Sequence, residues 1–198
     1  MNDLVFPEKM DPESPEYKAL AAQVLRKIKP GAYGPVLYNE IARLSMNLAM
    51  EAVALRVNSE TNKIEVFMRR RGDSEMYPLQ WHAAGAVMRV EGKKGEGWRQ
   101  LANRLSGEFG TNILWYEEIG ELFTEEARGP FLSKIFLVEL KDKPKEDVRH
   151  RWYAVDELPQ VTVDHHEEYI IPLATMIFAA KNNIRVRARI EFINVPSK

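Results

Sequence analysis

The strongest constraint in this sequence is a change of hydrophobic period near residue 50. Ahead of it, apolar residues recur every three or four positions, as in helices with one buried stripe. Behind it, "MEAVALRVNSETNKIEVFMRRRGD" presents two apolar runs of strand length joined by a polar Asn-Ser-Glu-Thr-Asn turn. A stretch patterned for one period cannot bury its apolar face in the other. The chain is therefore expected to be an α/β (α+β) protein in which one mixed α/β unit comes after two N-terminal helices.

The first of those helices lies in "SPEYKALAAQVLRKIKPG": Ser14 can cap it, Pro15 suits its first position and Pro30-Gly31 ends it. Leu20, Val24 and Ile28 form its apolar face. The second, "GPVLYNEIARLSMNLA", lines up Leu37, Ile41, Leu44 and Leu48. Both are expected to pack on the domain behind them. The organisation read from the sequence is an N-terminal helical extension over 1–49, a principal domain over 50–181 and a C-terminal strand or arm over 182–198.

Past the two strands, "PLQWHAAGAVMRVEG" reads as loop and strand, and "EGWRQLANRLSGEFG" returns to helical spacing with Trp98, Leu101 and Leu105 on one side and a stop at Gly110. "FLSKIFLVELK" is a strand and "RHRWYAVDELP" a strand running into a turn. "DHHEEYIIPLATMIFAAK" is a closing helix, in which Asp164 and Glu167 form a helix-start pair. The tail "NNIRVRARIEFINVPSK" alternates basic and apolar residues.

Composition narrows the function classes. Hydrophobic residues make up 45% and charged residues 29%, enough for a sizeable core under a solvated surface. A net charge of −1 gives no global attraction to nucleic acid or an anionic membrane, so neither a specific nucleic acid nor a membrane is an expected partner. There is no cysteine, which excludes disulfides, thiolate metal sites and cysteine nucleophiles and fits a cytoplasmic location. The start of the chain lacks the basic and apolar regions of a signal peptide, and "YIIPLATMIFAA" is too short to span a bilayer.

In this order the pieces resemble a Nudix domain over about Met50 to Lys181. "VALRV" and "IEVFMRRR" match the opening hairpin of that family. "PLQWHAAGAVM" is similar to its proline, tryptophan and glycine-loop segment, "LANRLSGEFGTNI" to its box helix and exit, and "RHRWYAVDELP" to its late tryptophan strand. The resemblance implies a Nudix-like α/β/α sandwich with a mixed sheet. It also implies magnesium-dependent hydrolysis of a nucleoside diphosphate linked to another moiety, with Mg2+ as the cofactor if the chain is catalytic and none otherwise.

The family's box pattern is G-x5-E-x7-R-E-U-x-E-E-x-G-U, with U aliphatic. Its helical carboxylates share one face, where they can hold magnesium against a diphosphate. Two registers lay that pattern on this chain. One runs from Gly85 through Glu91 to Arg99, with Gln100, Leu101, Asn103 and Arg104 in the next places. The other is anchored on Glu108, Phe109 and Gly110 and puts Asn103, Arg104 and Gly107 in the box. The second keeps the helix exit and is preferred, with "VEGKKGEG" as a lengthened loop. Four residues separate them, about one helical turn, so both present nearly the same face. That face carries one carboxylate, Glu108, beside a basic Arg104 that would repel a divalent cation. The box is degenerate, and metal catalysis built on it is in doubt.

The candidate catalytic residues are Glu108, Glu96 and Glu118, with Glu108 and Glu96 the candidate metal ligands. Glu91, Glu117, Glu121, Glu125 and Glu126 could also supply carboxylates, the alternative for each being a solvated surface acid. Candidate substrate-binding residues are Arg69 and Arg71 at the end of a strand, His82 in the loop before Gly85, and Arg104, whose guanidinium could grip a phosphate by a forked contact. Packing and solvation are their alternatives. "DHHEE" at 164–168 is read as helix start rather than metal site, since adjacent helical residues diverge by about 100°. The expected ligand is a nucleotide or another diphosphate-containing small molecule. A catalytically inactive nucleotide-binding or protein-interaction module is the alternative to a hydrolase, and a homodimer is conceivable through the amphipathic preface and the tail.

Overall fold

The computed structural model describes residues 11–28, 34–88, 97–126 and 129–184, with the side chains of 34–35, 97–101 and 126 outside that description. Most of the basic-apolar tail therefore lies outside the described residues. Helix α1 spans Pro15–Arg26, and its cap is the expected one: the Ser14 hydroxyl accepts from the Tyr17 N–H at 3.2 Å. α1 buries no residue, and Leu20, Val24 and Ile28 are only half-buried. α2, Gly34–Arg43, does dock, through Ala42, whose carbonyl accepts from the Asn47 side-chain amide at 2.9 Å. Its expected stripe ends early: Leu44 is exposed beyond the helix, and Leu48 belongs to the first strand.

The sheet begins at β1, Asn47–Val57, slightly ahead of the change of period seen in the sequence. β2 is Ile64–Arg70, β3 Trp81–His82, β4 Ala84–Val87, β5 Ile113–Glu126, β6 Gly129–Leu140 and β7 His150–Ala154. Their order is β3-β2-β1-β6-β5, with β4 also paired to β1 and β7 to β2. β1 and β6 run parallel while the other pairs are antiparallel, so the sheet is mixed as expected.

Alternation along the strands divides the core into two layers. On one face Met50, Ala52, Ala54, Phe67, Phe136 and Val138 meet Leu105 and Phe109 of α3, Gly97–Phe109. On the other, Val53, Val66, Met68 and Ile135 meet Ile170, Ile171 and Ala174 of the closing helix α4, Ile171–Lys181, and the turn before it. This is an α/β/α sandwich. Gly110 ends α3 at φ +66°, the left-handed position glycine tolerates.

Two further local expectations are corrected. "TEEARGP" is not a loop around Glu125 and Glu126: both belong to β5 and pair with Pro130 and Gly129. β5 is hard to see in the sequence because register shifts at Ile113/Trp115 and Glu118/Gly120 break its alternation. Asp164 and Glu167 do not form a capping pair, since the Glu167 N–H goes to the Val163 carbonyl at 3.1 Å. From His166 to Ile170 the helix widens into a π-turn, and the Ile171 N–H reaches back to the His166 carbonyl. Pro172 has no N–H to give and its ring crowds the preceding carbonyls, which accounts for the wide turn.

Candidate functional site

The arginines at the end of β2 and the end of α3 meet at Gly85 on β4. Arg69 holds Glu75 through two bonds of 3.0 and 2.5 Å, and the Arg71 guanidinium lies 3.8 Å from the same carboxylate. Burial pushes the Glu75 carboxyl up, but hydrogen bonds from Arg69 and the Gly72 backbone outweigh it and leave its pKa lowered. Glu108 points into this cluster from the last turn of α3. Its pKa is raised, with burial the leading cause, against the pull of Arg69, the Gly85 N–H and Arg71. Its Oε2 is buried and has no hydrogen-bond partner.

Gly85 also faces the opposite way. It pairs with Glu51 of β1, and a methyl group added to it would run into the Glu51 carboxylate. Glu51 is 8% exposed, and its Oε2 lies 3.7 Å from His166 Nε2. The His166 ring stands 5.7 Å from that of His82 and 4.7 Å from that of His165. Together with Arg71, Tyr77 and Ser133 these residues line a pocket of about 60 Å³. Burial holds both His82 and His166 well below the ordinary imidazole pKa, reinforced by Arg71 at His82 and by His82 at His166. Both are therefore neutral near pH 7. Neither ring nitrogen of His82, nor Nδ1 of His166, has a side-chain hydrogen-bond partner, although the Ala83 backbone acts on the His82 ring.

Of the residues singled out in the sequence, the fold brings Arg69, Arg71, His82 and Glu108 together. Arg104 is elsewhere engaged, donating to the Val87 carbonyl at 3.0 Å from an exposed position on α3. Glu118 is held on β5 by Lys134 at 2.7 Å. Glu96 and Glu91 lie outside the described residues. Sequence reasoning misses Glu51, Glu75 and the pairing of His166 with His82. The one signal for Glu51 is a lone acid inside the apolar run "MEAVAL". His165 and His166 both line the pocket, His166 at the start of the wide turn and His165 just ahead of it.

As a magnesium cradle the donor set does not fit. Among the described residues no group of three or more His, Cys, Asp or Glu side chains is placed to hold a metal ion. Glu108 is the one carboxylate that the described part of α3 brings to the cluster, and the charges facing it are chiefly guanidinium groups. A buried carboxyl biased towards its neutral form beside two arginines is a poor ligand for a divalent cation.

No family model matches this chain, and no curated protein matches it. Solved structures do. NrtR from Shewanella oneidensis is 12% identical and superposes with a TM-score of 0.54, over 68% of this chain and 63% of that one. The same protein complexed with a 27mer DNA gives 12% identity and a TM-score of 0.53. A NUDIX hydrolase from Nitrosomonas europaea is 12% identical, with a TM-score of 0.51, over 73% of this chain and 99% of that one. The chain thus spans less than two-thirds of the length of NrtR. At this identity the likeness is one of fold: the chain has a Nudix fold. Among the described residues no helix is long and apolar enough to cross a membrane.

Proposed function

We propose that this chain is a Nudix-fold binding module for a diphosphate-containing small molecule of the nucleotide class, in which magnesium-dependent hydrolysis from the box helix has been lost. The observation that carries the reading is the Glu108 carboxylate, the one acid from the described part of α3, set beside the Arg-paired Glu75 against Arg69 and Arg71, with no group of three or more acid or imidazole donors placed for a metal among the described residues. Arg71 adjoins a pocket in which the His82 ring and His166 Nδ1 have no side-chain hydrogen-bond partner, so an anionic group with a polar flank would find both charge and hydrogen bonds there. The pocket is small and takes one end of such a ligand. Specific nucleic-acid binding lies outside the proposal, and self-association to a homodimer within it.

The test is thermal shift of the full chain against a panel of nucleoside diphosphate compounds, with and without magnesium, alongside a phosphate-release assay. Stabilisation without magnesium and without turnover is expected, with about tenfold weaker apparent affinity in Arg71→Ala for loss of one charge-assisted contact. Magnesium-dependent turnover that disappears in Glu108→Gln would overturn the reading in favour of a hydrolase. A salt-sensitive, sequence-specific complex with duplex DNA would overturn the exclusion of nucleic acid.

A further inference from the structure

The histidine pocket holds about 60 Å³, where sites for small organic ligands run to about 300–1,000 Å³. Part of its wall is Tyr77, from the connection between β2 and β3 over residues 71–80. The Tyr77 ring lies 5.8 Å from the Arg71 guanidinium and 6.2 Å from the His165 ring.

The same loop sets Glu75 in the fork of Arg69. Its two bonds, 3.0 and 2.5 Å, are the paired contact by which a guanidinium also takes a phosphate. Arg71 lies 3.8 Å from the same carboxylate, and a third guanidinium stands close by. A side chain built at Gly72 would meet Glu75 Oε1 at 3.3 Å and Arg149 Nη1 at 3.9 Å. The lowered pKa of Glu75 keeps it ionised, while the raised pKa of Glu108 favours its neutral form. One carboxylate charge thus faces three arginines, which a diphosphate with its several negative charges would match better. The Arg69 and Glu75 side chains are 22% and 32% exposed, so an anion in solution can reach the fork.

The loop is also held in a disfavoured shape. Tyr77 and Leu79, neither of them glycine, have left-handed backbone at φ +53° and +63°. Arg70 Nε and the Arg71 N–H fix its far end, donating to the Leu79 and Gln80 carbonyls at 3.0 and 2.9 Å. The Glu75 fork ties down its middle. Backbone strain persists only while surrounding contacts hold it, so release of Glu75 lets the loop and Tyr77 relax.

We propose, resting on the diphosphate reading of this site, that Glu75 is the internal occupant of its phosphate subsite: the carboxylate fills the Arg69 fork until a ligand's diphosphate displaces it, and Tyr77 then swings from the histidine pocket. Calorimetric titration of the full chain with inorganic pyrophosphate, without magnesium, tests this. Glu75→Gln should bind about tenfold more tightly than the unaltered chain, since a charge-assisted contact no longer has to be broken first. Asp73→Asn removes an exposed acid from the same loop and should change affinity by less than about twofold, which separates displacement from charge alone. The gain from Glu75→Gln should vanish in an Arg69→Ala background. In the unaltered chain, which needs no variant to fold, the nuclear Overhauser contact between the Tyr77 and His165 rings should fade as pyrophosphate is added. Equal or weaker binding in Glu75→Gln, a gain that survives Arg69→Ala, or a ring contact that persists at saturation would each overturn the proposal and leave the diphosphate reading standing. No pyrophosphate binding in either chain would overturn it too, and thermal shifts with nucleoside diphosphates then decide whether the wider reading falls with it.

Discussion

Gly85 works in two directions at the level of single residues. Its N–H serves Glu108 on the α3 side, and its bare Cα leaves room for the Glu51 carboxylate on the other. Gly85→Ala should therefore destabilise the chain by about 1–3 kcal/mol, the usual range for overpacking a filled interior. In a Glu51→Ala background the same change should cost less, a coupling that urea denaturation of the four-member cycle would measure. The buried imidazoles set a pH dependence. His82 and His166 have lowered pKa values in the folded chain, so on acidification the unfolded chain takes up protons first. Their contribution is present above the unfolded value of about 6.5 and is lost as pH falls below it. Glu108 has the opposite sign: its raised pKa gives a contribution that is largest in acid and lost as pH rises through the folded value. The unfolding temperature should fall on acidification from about pH 7 to about pH 5, less steeply in His166→Gln and more steeply in Glu108→Gln. A scan of unfolding temperature against pH checks both slopes.

Among the elements, the decisive features are the π-turn and the seat of α2. The wide turn runs from His166 to Ile170, directly after His165, and both imidazoles line one pocket. Pro172→Ala frees an N–H for the regular ladder, and the ring contact between His82 and His166 should be lost, as read by nuclear Overhauser effects between the imidazoles. α2 is seated on Gly129, which opens β6 at φ +105° and leaves no room for a side chain beside the Ala42 carbonyl. A side chain there meets both a disfavoured backbone conformation and the α2 backbone. Gly129→Ala should cost about 1–3 kcal/mol from the backbone conformation and more from the clash, measured by urea unfolding. Much of the element structure is legible in the sequence: the cap of α1, the stop at Gly110, the opening hairpin and the late tryptophan strand. β5 is not, because two register shifts move its inward face partway along and leave no single alternation to read.

Across the whole molecule, the sheet's two faces are held by α3 and α4, and the site lies where elements of both layers approach Gly85. Phe109 is 1% exposed and packs on Phe67, so Phe109→Ala should cost about 3–5 kcal/mol in urea unfolding. Because Glu108 is its neighbour on α3, ligand stabilisation should fall in the same variant. Coupling of this kind separates residues that hold the site from those, such as Arg71, that would touch the ligand.

Local chemistry written in the chain sets the period of each element, and through it the order of helices and strands, the cap of α1, the stop at Gly110 and the likeness to a Nudix domain. It specifies which side chains can be buried at which spacing, and where proline and glycine stop a helix. It also puts a lone glutamate, Glu108, at the exit of α3. The surroundings of that glutamate are a matter of tertiary packing. Arg69, Glu75 and Gly85 converge on it from separate strands and loops, and Glu51 meets His166 from a distant part of the chain. Such contacts depend on strand register and one widened turn, which are settled by packing between remote segments and leave no periodic trace in the sequence.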